Sequence, residues 1–170
     1  MISANDAVRF LKSLARPLDL FSRAVVSLLM GILTILIIAQ VIARYAFNSS
    51  FDLVIEVPRI SFIVIIYLAM PLAYRDGMHV GMDILSSIVP RKYIQTITRL
   101  TCLVMIGVIM QIIVLAFGLM FQTWEQYLPS INFPIGGFYA AIVFGSIHLL
   151  LHVFQTLIIG DFGQSTVMSE

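Results

Sequence analysis

Twenty successive residues from Ala24 to Ala43 carry no charge, and apolar runs of similar kind recur three more times along the chain. A bilayer core about 30 Å thick is crossed by about 20 apolar residues rising 1.5 Å each, so these runs dictate what the chain can become. The predicted spans are residues 24–43, 53–74, 100–121 and 138–159. The second rests on only 15 uncharged residues, Ile60 to Tyr74, and must borrow from Phe51 to Arg59 to reach across. Lipid tolerates no unpaired backbone polar group, and four strands cannot close a barrel, so each span must be a helix. Composition agrees: 60 % hydrophobic and 11 % charged residues stand against about 45–50 % and about 25 % in soluble domains. The sequence therefore predicts an all-α integral membrane protein, a single membrane domain over residues 1–170 with four transmembrane helices.

Lysine and arginine fix the expected orientation. Arg9, Lys12, Arg16 and Arg23 precede the first span, and Arg75, Arg91, Lys92 and Arg99 lie between the second and third. Only Arg44 and Arg59 lie on the opposite side, so the positive-inside rule places both termini and the middle loop in the cytoplasm. A cleaved signal peptide is the rival reading of the first span, but its apolar run is too long for a typical signal region. Residues 1–23 read as an amphipathic interfacial segment, with Val8, Leu11, Leu14, Ala15 and Leu18 on one face, or as a solvated leader continuous with the first span, and Pro17 argues for a break between the two. Val80, Ile84, Leu85, Ile88 and Val89 predict a second interfacial helix in the middle loop, and Gly77 and Gly81 a turn that needs a permissive backbone. Pro71 predicts a kink late in the second span. Trp124, Tyr127, Phe138 and Tyr139 cluster near the outer boundary as an aromatic belt.

The net charge of +1 leaves no footprint for nucleic acid. The single cysteine, Cys102, excludes an internal disulfide and any cysteine-based metal site. No nucleophile–base pair, catalytic carboxylate pair or phosphate loop is assembled, so no enzyme, cofactor or metal is expected. Arg44 can snorkel from the end of the first span. Glu56 and Arg59, three apart on one helical face, can neutralise each other, and Asp52 faces the helix dipole. No carboxylate is expected deep inside a span. His148 and His152, one turn apart, are the pair most like a cofactor site, and a haem-binding membrane anchor of a redox complex is one alternative they leave open. Hydrogen bonding to Gln111 or to another subunit is the plainer expectation, with Gln40, Gln111 and Gln155 read as neutral interhelical contacts. A small stand-alone exporter is a second alternative, weakened because no internal repeat is visible.

The stretch Tyr74-Arg75-Asp76-Gly77-Met78-His79-Val80-Gly81-Met82-Asp83-Ile84-Leu85, directly after the second span, resembles a signature of the small membrane subunit of tripartite ATP-independent periplasmic (TRAP) transporters, the DctQ-like family. Arg44-Tyr45, then Phe47-Asn48 and Glu56, is similar to that family's segment between helices one and two. Leu128-Pro129 leading to Phe133-Pro134-Ile135 and Tyr139 is similar to its approach to helix four. The likeness covers about Phe21 to Ile159. The chain departs from it in helix two, where Tyr67, Ala69 and Pro71 replace a tryptophan and a run of small residues.

The resemblance implies a multi-pass protein of the bacterial inner membrane without a substrate or ion site of its own. Its expected partners are the large TRAP membrane subunit, a periplasmic substrate-binding protein and membrane lipid. The expected role is a non-catalytic scaffold for sodium-coupled uptake of an organic acid such as a C4-dicarboxylate or sialic acid. The outer segments, with Asn48, Ser49, Ser50, Asp52, Glu125 and Gln126, are expected to form part of the binding protein's landing surface. Arg44, Glu56, Arg59, Arg75, His79 and Asp83 are expected at a subunit interface or in structural contacts, the last three fixing the cytoplasmic turn.

Overall fold

The computed structural model describes residues 4–47, 53–77, 91–129 and 132–159. Four helices account for nearly all of them: α1 (Ala4–Phe47), α2 (Leu53–Arg75), α3 (Arg91–Gln122) and α4 (Gly136–Ile159). Each is long and apolar enough to cross a membrane, so the all-helical, four-span architecture required by the apolar runs is the one formed. Asn48, Ser49, Ser50, Asp52, His79 and Asp83 lie outside the described residues, as does the interfacial helix expected over residues 80–89.

α4 is the centre of the bundle. It packs against α3, α2 and α1, and α1 also packs along α2. The core gathers Tyr74 from the end of α2, Cys102 and Ile109 from α3, and Leu149 and Val153 from α4. Lipid is as apolar as these side chains, so close packing and hydrogen bonds, rather than escape from water, hold helices together here. Small polar residues are among those buried, Ser61, Thr98 and Ser146. At Gly145 a Cβ would overlap the Tyr67 backbone carbonyl of α2.

α1 has 44 residues, about 66 Å at 1.5 Å per residue and roughly twice the hydrocarbon thickness. It passes through Pro17 without interruption, where the sequence predicts a break. The reason is local. Proline removes the hydrogen bond to the carbonyl four residues back, which is that of Ser13, and both Ser13 and Pro17 are exposed on a cleft. Water can serve that carbonyl. In the same turns Ala15, Asp19 and Ser22 are buried and held by the bundle.

Beyond Arg23, no residue of α1 up to Ala46 is fully buried. Val26, Leu29, Leu33, Leu36, Gln40 and Ala43 form a half-buried stripe spaced alternately by three and four, the seam spacing of helices packed side by side. The other faces stay uncovered. Leu28, Ile35 and Ile42, one heptad apart, are 64 %, 68 % and 53 % exposed.

Gly77 follows α2 with φ at 73°, the left-handed conformation with which glycine commonly closes a helix, as its expected role in a turn requires. α2 itself runs through Pro58 and Pro71, and Pro71 is fully buried. The α3–α4 connection is tightly bonded. Leu128 N–H donates to the Phe133 carbonyl at 3.0 Å and Ile135 N–H to the Gln126 carbonyl at 2.8 Å, around an antiparallel bridge between Tyr127 and Pro134. Asn132 takes a φ of 44° there, a region that asparagine visits more readily than most residues. Gly136 packs against the Met120 carbonyl and Trp124 so closely that a Cβ would collide with both.

Candidate functional site

The polar centre of the molecule lies where the first half of α1 meets the end of α2 and the second half of α4. Ala15, Asp19 and Ser22 share one face of α1 by their spacing of four and three, and that face turns inward. His148 and His152, four apart, share a face of α4 and are 1 % and 4 % exposed. The two faces meet. Asp19 Oδ1 accepts from His148 Nε2 at 3.0 Å and from His152 Nε2 at 2.9 Å. Asp19 Oδ2 accepts from Arg75 Nη1 at 2.7 Å, which brings in the last residue of α2.

One carboxylate thus ties three helices. Arg75 turns the rest of its guanidinium to the neighbouring carboxylate, with Nε and Nη2 donating to Asp76 Oδ1 at 3.0 and 2.9 Å. Arg23 Nη2 reaches Asp76 Oδ2 at 3.2 Å on the exposed side. Charges alternate along Arg23, Asp76, Arg75 and Asp19 and sum to zero, which lets a carboxylate lie buried between the helices. Ser22 Oγ lies 3.3 Å from His148 Nδ1. With Nε2–H donating to Asp19, Nδ1 is an acceptor and the serine hydroxyl its donor, so a neutral His148 is satisfied at both nitrogens. The imidazole rings of His148 and His152 are tilted at 44° with centroids 5.1 Å apart.

The histidines form interhelical hydrogen bonds, as their plainer reading expects, but with Asp19 and Ser22 of α1 rather than with Gln111, which is exposed. Asp19 escapes notice in the sequence because it stands five residues before the uncharged run, among the basic residues of an apparent interfacial segment. Its signal is its placement within Pro17-Leu-Asp-Leu-Phe21, an otherwise apolar turn. Of the residues expected to fix the turn, Arg75 is half-buried and reaches Asp19 and Asp76. Arg44 and Arg59 are exposed, and Glu56 is half-buried in the first turn of α2. Glu125 and Gln126 are exposed in the α3–α4 connection, at the opposite end of α4 from the network. Gln155 is buried one turn beyond His152, and its Nε2 has no hydrogen-bond partner among the described residues.

Residues 33–161 match the family of tripartite ATP-independent periplasmic transporters, DctQ component. The chain belongs to the DctQ family. A protein of Haemophilus influenzae assigned as a TRAP transporter small permease is similar to it, with 27 % identity over 120 residues that cover 70 % of this chain and 74 % of that relative. The DctQ match spans α2, α3 and α4 and begins fourteen residues after Asp19. Arg75, His148 and His152 therefore lie within the family segment of this DctQ chain, while Asp19 and Ser22 precede it.

Proposed function

We propose that this DctQ chain is the non-catalytic scaffold subunit of a TRAP transporter in the bacterial inner membrane, with both termini cytoplasmic. In this reading it holds the large permease subunit during sodium-coupled uptake of an organic acid, a C4-dicarboxylate, sialic acid or a similar carboxylate. The observation that carries the reading is the uncovered stripe Leu28, Ile35 and Ile42. α1 uses one narrow seam for its own bundle and keeps the remaining apolar faces available, which suits a helix that also packs on a partner's helices. The Asp19 network supports the same role: its charges are paired with one another across three helices, as in a rigid support.

Docking of the periplasmic binding protein falls to the outer end of the bundle. Glu125 and Gln126 are exposed there on a connection held by backbone hydrogen bonds, and Asn48, Ser49, Ser50 and Asp52 join them in this reading. Alanine at all six positions is expected to lower binding-protein-dependent uptake several-fold while the small subunit still co-purifies with the large one. Unchanged uptake in cells expressing the variant at wild-type level would remove the docking role.

A further inference from the structure

We propose that Asp19, His148 and His152 form a binding site for one divalent transition metal ion of the zinc class. The proposal is independent of the transporter reading. It rests on how three side chains from two helices converge. One donor atom from each of the three buried residues lies within 4.8 Å of the others. Both Nε2 atoms point at the same carboxylate oxygen, at 3.0 and 2.9 Å. An ion held tetrahedrally at about 2.0–2.2 Å needs its ligands roughly 3.4 Å apart. The two Oδ1–Nε2 separations must lengthen by about half an ångström to make that room.

The surroundings suit a ligand set. Ser22 Oγ beside His148 Nδ1 is an outer partner of the kind that fixes a metal-binding imidazole, and a hydroxyl can accept from Nδ1–H as readily as it donates. When the metal takes Nε2, the imidazole proton moves to Nδ1 and the serine receives it as a hydrogen bond. Arg75 occupies Asp19 Oδ2 and leaves Oδ1 as a single-oxygen ligand. Its positive charge opposes the ion and lowers the affinity, but it is shared with Asp76 and leaves Oδ1 accessible. Two imidazoles and one carboxylate select a first-row transition ion over magnesium or calcium, which prefer all-oxygen shells. A cleft of about 820 Å³ lined by Ser13, Arg16, Asp19, Arg23 and Arg75 adjoins the triad and gives water a route to a fourth position.

The test uses the full chain without a polyhistidine tag, purified in mild detergent, stripped with chelator and titrated with Co²⁺ and then Zn²⁺. About one equivalent of Co²⁺ per chain, with visible d–d absorption that Zn²⁺ abolishes, is the expected result. H148Q and H152Q should each weaken binding by more than about tenfold, and S22A, which keeps all three ligands, by about 10- to 100-fold. Helical circular dichroism and gel filtration identify folded variants, and S22A carries the comparison should the histidine variants fail to fold. No stoichiometric Co²⁺ binding, or binding unchanged in the folded variants, would overturn the proposal and leave the triad as a hydrogen-bonded tie.

Discussion

Replacing Asp19 by alanine is expected to destabilise the solubilised protein by about 3 kcal/mol. Breaking a buried ion pair by removing one partner costs about 3–5 kcal/mol, because the other charge is left without compensation. Here the loss falls at the low end, since Arg75 keeps Asp76 and its side chain is 35 % exposed. His148 and His152 have no such recourse, and both Nε2 donors lose their acceptor inside a packed interface. The comparison is Arg23→Ala. That variant breaks an ion pair whose side chains are 55 % and 42 % exposed, and pairs of that kind contribute about 0–1 kcal/mol. Denaturant titration of both variants in one detergent measures the difference. Equal effects would show that the buried carboxylate is not the tie between α1, α2 and α4.

The second large effect is expected at Gly145. Its missing side chain lets α4 lie against the Tyr67 backbone of α2, and the first carbon of any side chain would overlap the carbonyl carbon and oxygen there. A backbone cannot move aside as a flexible side chain can, so Gly145→Ala must separate the helices. Overpacking costs about 1–3 kcal/mol in well-packed cores, and this substitution belongs at the upper end. Gly107 and Gly118 of α3 provide the control, because a Cβ at either meets nothing within 4 Å. Alanine at those two sites is expected to be neutral or to stabilise by up to about 1 kcal/mol through helix propensity. Thermal unfolding of the three variants reads the contrast, and a Gly145→Ala protein as stable as the other two would contradict the close approach.

The spans are legible in the sequence because hydrocarbon leaves a chain few choices: a long uncharged run must be helical, and four of them must pack. Local signals also carry through where a single residue decides the backbone, as at Gly77. Pro17 misleads because its effect depends on which face it occupies. A proline whose lost hydrogen bond faces a wet cleft leaves the helix intact, and that exposure follows from tertiary packing. The network around Asp19 is half visible. His148 and His152 stand out by their spacing and Arg75 by its place after the second span, but their partner lies 129 and 133 residues before the histidines. No periodicity links residues that far apart. Only the meeting of α1 with α4 reveals that the carboxylate serves both imidazoles.

Photo-crosslinking in the native membrane reads out whether the uncovered face of α1 holds a large permease subunit. A photoreactive amino acid at Ile35, with a second at Val26 on the half-buried seam, separates the outer face from the inner one. Ile35 is expected to crosslink to a large multi-span membrane protein, identified by mass spectrometry and co-purifying in mild detergent, and Val26 to crosslink within the chain to α2. Crosslinks from Ile35 to lipid alone, or to a redox subunit, would contradict the scaffold role.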